Sequence, residues 1–200
     1  MPKNIKILCV CLLTLALGAC WKASSGEQKS NAISVQQQEK PIDFEHFDET
    51  YLNKLLLKKI NLLRISEQAA ALNIDPVLQK AAVDQAQYMS EFGDVTHSQP
   101  ERAKKNPQQR IKFYGGNHQS TAENLMLTFV DQPVLLSDGT QAIVIKTYEQ
   151  LAQVFLSEWL NSPNHRRNLI NKEYQLTGLA FATEATGKEV YAAQVFSSKN

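Results

Sequence analysis

Beyond residue 20 this chain has no cysteine; all three lie at positions 9, 11 and 20. Residues 21–200 therefore form no disulfide and no thiolate metal site, and papain-like Cys/His chemistry is excluded there. Basic charge is not in excess either. Setting aside Lys3 and Lys6 leaves 19 of the 21 Lys and Arg side chains against 20 Asp and Glu. No polybasic run is present, so neither nucleic acid nor an electrostatic membrane anchor is indicated. HExxH is missing, as are the G-x-S-x-G elbow and a phosphate-cradling glycine loop. No internal repeat is present. The one long apolar run, Ile7–Leu17, falls short of the roughly 20 residues a spanning helix needs.

That run has the layout of a secretory signal: lysines first, an apolar stretch, then small residues. Its end, Leu17-Gly18-Ala19-Cys20, resembles the lipobox of bacterial lipoproteins, where cleavage precedes a cysteine that becomes diacylated. The expected organisation is a signal over 1–19 and a lipid-anchored polar tether over 20–41. One domain then follows over 42–200, long enough for a sizeable core. Without disulfides, that core alone must hold the domain together.

Local patterns outline the domain. Leu52, Leu55, Leu56, Ile60 and Leu63 make one face of a helix. A second helix has Asp75 as N-cap, Pro76 at N1 and Gly93 as its stop, with Leu78, Ala82, Gln85 or Ala86, and Met89 inward. The Lys/Asn/Pro-rich stretch after residue 100 reads as polar connection. Ser120 or Thr121 followed by Glu123 reads as the start of a short helix. Two apolar runs around Asp138-Gly139 predict a hairpin near 133–145. Thr147 with Gln150 fits a capping box for a helix through Trp159. A last pair of strands flanks Thr186-Gly187. The expected class is α+β, helices layered on an antiparallel sheet.

The segments "INLLR", "LQKAAVDQAQYM", "THS", "AENL", "WLNSPNHRRNL", "TGLAFA" and "VYAAQVF" occur in the order seen in the CAP superfamily, the SCP domain of cysteine-rich secretory proteins, antigen 5 and pathogenesis-related proteins. The chain resembles that family over about Leu52–Ser197, in its bacterial form. The resemblance implies an α-β-α sandwich with a central antiparallel sheet, and makes the 133–145 hairpin an insertion.

Family members with a full site carry two histidines and two glutamates in a cleft. By resemblance, His97 matches the first histidine and Glu123 the first glutamate. The other two places depart: Ser162 stands for the second glutamate and Tyr191 for the second histidine. His165 and Glu158 are the natural substitutes. Ser162 as N-cap and Pro163 at N1 place His165 in the first turn of a helix, whose positive end disfavours the protonated imidazole. Glu158 falls on the inner face of its helix, so a partner is expected, with Arg166 or Arg167 the candidates. Asn124 is suited to bridging backbone beside the cleft.

Three readings follow. In the first, the domain is a binding module on the membrane, its cleft of His97, Glu123, His165, Glu158 and Asn124 taking a small apolar or cell-envelope ligand. In the second, the hairpin docks to another envelope protein. In the third, it is a hydrolase with a histidine base, or a zinc ion on His97, His165 and Glu123. No cofactor is required by the first two. The half-absent tetrad ranks catalysis last. All three place the protein in a bacterial envelope, anchored at Cys20.

Overall fold

A computed structural model describes residues 39–137, 139, 142–184, 186 and 188–198. The signal segment, Cys20 and most of the tether lie outside the described residues. The order of elements is α1 (Glu49–Ser66), β1 (Asn73–Ile74), α2 (Pro76–Phe92), α3 (Pro107–Phe113), β2 (Thr121–Phe129), β3 (Pro133–Leu135), β4 (Ala142–Val144), α4 (Tyr148–Asn161), α5 (Pro163–Ile170), β5 (Tyr174–Glu184) and β6 (Glu189–Ser198). The sheet runs β1-β5-β6-β2, with β3 and β4 forming a separate hairpin. β5–β6 and β2–β6 are antiparallel, while the two-residue β1 joins β5 in parallel. The sheet is thus mixed at one edge rather than wholly antiparallel.

Caps set the helices. Asp75 accepts from the amides of Val77 (2.9 Å) and Leu78 (3.0 Å), Pro76 needs no donor, and Gly93 closes α2 at φ 80°. Thr147 and Gln150 form the expected capping box of α4. Helices cover both faces of the sheet. One core gathers α1, α4 and α5 against Val190, Ala192 and Phe196, with Leu52, Leu56, Ile60, Phe155 and Trp159 fully buried. The other sets Leu78, Ala82, Ala86 and Met89 of α2, with Ile111 of α3, against Tyr191, Ala193 and Val195. Alternate residues of β6 thus face opposite cores, as strand geometry requires. This is the α-β-α sandwich.

Two expectations fail here. Residues 121–129 are a strand, not a helix start: nine consecutive residues pair with β6, from Thr121 opposite Ser197 to Phe129 opposite Glu189. Long-range pairing overrides the local Ser/Thr–Glu signal. The polar stretch after residue 100 holds a helix, α3, capped by Asn106 onto the Gln109 amide (2.9 Å) with Pro107 at N1. Lys40 already joins this hydrogen bonding: Tyr148 N–H donates to its carbonyl (3.0 Å).

Candidate functional site

Glu123 pairs with Val195 on β6 and so faces the α2–α3 layer; Asn124, one residue on, faces α4 and α5. β2 is an edge strand: His97 and Glu123 meet on one of its faces, while Asn124, His165 and Glu158 lie on the other.

On the first face, Glu123 is buried and both its oxygens are engaged. Oε2 accepts from Nη2 of Arg110 (2.5 Å), a side chain with no exposure at all. Oε1 lies 2.8 Å from Nδ1 of His97, whose side chain is 56% exposed. Arg110 also donates to the carbonyls of His97 (3.2 Å) and Lys104 (3.1 Å). A single guanidinium therefore fixes both the carboxylate and the loop bearing the histidine. Gln85, buried on α2, donates to Thr96 O and holds the same loop from below. Arg110 lies in the stretch whose composition reads as polar connection. The signal that reveals its helix is Asn106-Pro107, the same cap-and-N1 pair as Asp75-Pro76.

On the second face, Asn124 is fully buried. Its Nδ2 donates to His165 O (3.1 Å) and its Oδ1 accepts from Asn168 (2.9 Å). It ties α5 to β2. Ser162 is the N-cap residue of α5, as its position implied, but its side chain makes no capping hydrogen bond. The His165 pKa is lowered from 6.5, first by burial and then by the charge of nearby His97. The direction is the one the sequence suggested, with burial and a neighbouring imidazole as its causes.

Glu158 corrects a further expectation. It is half-buried and pairs with neither Arg166 nor Arg167. Both its oxygens accept from the Ser137 amide (3.1 and 3.2 Å), pinning the hairpin to α4. Arg166 instead bonds Glu67 (2.9 Å). Tyr191, in the place of the second histidine, is buried and donates to Glu189 (2.6 Å). Burial first, then the Glu189 bond, pushes its phenol pKa up.

Between β2, the end of α4 and the hairpin lies a groove of about 340 Å³. Met126 and Trp159 form its floor beside the β2 backbone at Leu125 and Leu127, whose side chains turn to the other core, and Ser137, Glu158, Ser162 and His165 form its polar rim. Trp159 is locked by an N–H bond to Leu125 O (3.4 Å). A larger hollow of about 640 Å³ adjoins it under α5, lined by Pro163, Arg166, Arg167 and Ile170 among others. That hollow contains no histidine and no carboxylate, so the smaller groove is the one beside the chemistry.

A profile of the cysteine-rich secretory protein family (CAP) matches residues 57–196. The chain belongs to that family. A search of curated proteins by sequence found no match. Solved structures share the fold. An outer surface protein of Borrelia burgdorferi is 22% identical at TM-score 0.58, covering 80% of this chain and 99% of its own. An extracellular SCP-domain protein of Bacillus anthracis is 18% identical at TM-score 0.55, covering 76% and 41%. The CAP domain of enterococcal PrgA is 16% identical at TM-score 0.52, covering 80% and 66%. The Borrelia protein is an outer surface protein and the Bacillus protein an extracellular one. No helix among the described residues is long and apolar enough to cross a membrane.

The zinc set fits this CAP domain poorly. Among the described residues no three of His, Cys, Asp and Glu group as metal ligands. Glu123, the one carboxylate beside His97, already has a guanidinium on its far oxygen. Its near oxygen is bonded to Nδ1 of His97 itself, so the two candidate ligands face each other rather than a common point, and no chemistry is routed through a metal here.

Proposed function

We propose that this CAP domain is anchored in a bacterial envelope through lipidated Cys20 and captures a small ligand with an apolar body and a polar head. The observation that carries this reading is the groove. Its floor is apolar, its rim offers one carboxylate, one hydroxyl-bearing turn and an imidazole whose lowered pKa favours the neutral form. Its volume lies at the lower end of small-molecule sites. The surface or extracellular setting printed for the Borrelia and Bacillus proteins supports the location. The lipobox supplies the anchor. Native mass spectrometry of the full-length protein with a C16 fatty acid as probe tests the groove: a bound species is expected, and Met126→Glu should remove it. No adduct in the wild type would sink the ligand reading. Fractionation of a Cys20→Ser variant tests the anchor, which requires loss from the membrane fraction.

A second reading rests on the His97–Glu123 bond. A carboxylate on Nδ1 fixes the tautomer and leaves Nε2 as an acceptor, the arrangement of an oriented general base. It calls for a hydrolytic turnover lost in both His97→Ala and Glu123→Gln. Turnover unaffected by both substitutions would remove it.

A further inference from the structure

The β3–β4 hairpin buries one face and leaves the other bare. Val134, Ile143 and Leu136 pack inward onto the first core. The register sets Pro133 opposite Val144 and Leu135 opposite Ala142, and all four of these residues point outward and are exposed. Leu135 is 70% exposed and Val144 42%. An outward face of four apolar residues departs from the polar pattern expected of a solvated strand face. The hairpin does not swing freely, because Glu158 holds the Ser137 amide on α4. The bare face is therefore a fixed feature of the domain.

Its position in the fold says what covers it. The chain enters the domain beside the base of this hairpin: Ile42 N–H donates to Lys146 O (2.9 Å), Pro41 bridges Thr147 and Tyr148 N–H donates to Lys40 O (3.0 Å). Residues 146–148 directly follow β4. Eighteen residues, 21–38, separate Cys20 from Glu39, a span of at most about 65 Å even fully extended. The chain to the anchor therefore leaves the domain on the side that carries the hairpin. The charges there suit a lipid surface. Lys146 continues the outward face of β4 and is exposed, in the manner of a cation at the rim of an apolar contact. Of the acids nearby, Asp131 pairs with Lys188 (2.7 Å) and Asp48 with Lys40 (2.5 Å), while Glu149 and Glu39 accept from the hydroxyls of Tyr51 (2.6 Å) and Thr147 (2.8 Å).

Size favours a membrane over a protein partner. Four small or medium side chains offer far less than the ~800 Å² per partner of a standard interface. A weak contact suffices when a tether already holds the domain at high local concentration. We propose that the outer face of this hairpin, Pro133, Leu135, Ala142 and Val144, rests on the phospholipid bilayer in which the chain is anchored. This rests on the anchoring reading above and deepens it. Ser137 borders both the hairpin and the His165 groove, so docking sets the groove mouth beside the bilayer, and the source of an apolar ligand is the membrane itself.

The absence of cysteine after residue 20 makes the test direct. A Leu135→Cys variant of the full-length protein, purified from membranes, carries a single free thiol for an environment-sensitive fluorophore. Glu91→Cys, exposed on α2 in the opposite layer, is the control. Both are reconstituted into phosphatidylethanolamine–phosphatidylglycerol vesicles containing brominated acyl chains. The expected result is a blue shift and quenching at position 135, none at 91, and loss of the quenching when Val144→Asp is added to Leu135→Cys. Cosedimentation with the vesicles but no quenching at 135 overturns the docking and leaves the anchor standing. Absence of cosedimentation overturns both. Quenching absent from vesicles, with the 135 probe shielded only in native membranes, assigns the face to a protein partner and overturns the proposal.

Discussion

Arg110 is fully buried with its Nη2 against Glu123, so truncating it strands a carboxylate in the interior. Removing one partner of a buried pair typically costs about 3–5 kcal/mol. The low end is expected here, because His97 stays bonded to the other oxygen. Urea denaturation of Arg110→Ala checks this. Arg110→Met combined with Glu123→Leu should recover most of the loss, since replacing both partners removes the desolvation cost on each; a double variant as weak as the single one would show that the pair does more than neutralise charge. His165 gives a second residue-scale test. Its folded pKa lies below the ordinary 6.5 because of burial and the His97 charge. The unfolded chain therefore binds the proton more tightly. Stability is intact above 6.5 and falls as pH drops below that value, until the folded pKa has been passed. A His165→Gln variant should lose less stability between pH 7.5 and 5 than the wild type. Imidazole NMR titration should place the His165 midpoint below 6.5, and His97→Gln should raise it.

At the scale of elements, α2 crosses β5 at Gly178. A Cβ there would meet the Leu78 carbonyl carbon and oxygen at 2.2 Å and the Gln79 nitrogen at 2.4 Å. These are backbone atoms and cannot rotate away. Gly178→Ala should therefore destabilise by at least the ~1–3 kcal/mol typical of overpacking, read as a lower urea midpoint with unchanged slope. Glu158→Ala should free the hairpin, visible as faster hydrogen exchange at β3–β4 amides while the α2 amides keep their protection. The same elements explain what the sequence could disclose. Asp75-Pro76 with Gly93, and Thr147 with Gln150, act within one helical turn, so their chemistry is readable locally. β2 is not local. Ser120, Thr121 and Glu123 carry a helix-start signal, and only nine pairings with residues some seventy positions away convert them to strand. The lysines, asparagine and prolines around α3 mask it, and with it Arg110, the residue that organises the site. His97 and Glu123 are legible by family resemblance. The Glu158 partner is not, because the acceptor's need is met by a backbone amide of the hairpin, which no side-chain pattern announces.

At the scale of the whole molecule, two apolar cores share one sheet. β6 sends Val190, Ala192 and Phe196 into one and Tyr191, Ala193 and Val195 into the other. Neither core can come apart without stripping a face from a strand that the other needs. Arg64 adds a second tie. Fully buried, it donates to the carbonyls of Ala70 (2.8 Å), Leu169 (2.6 Å) and Tyr174 (2.7 Å), joining α1, α5 and β5. No disulfide shares this task after residue 20. Unfolding should therefore be a single cooperative transition, indifferent to reductant. The chain has two tryptophans, Trp21 and Trp159, so Trp21→Phe leaves Trp159 as the reporter of the first core. Its fluorescence midpoint in urea should coincide with the loss of protection at the Ala82 and Ala86 amides of the second, with dithiothreitol present or absent. Two separated midpoints would mean that the shared strand does not couple the cores. In that case the rim at β2, where Glu123 faces one layer and Asn124 the other, could open on one side alone.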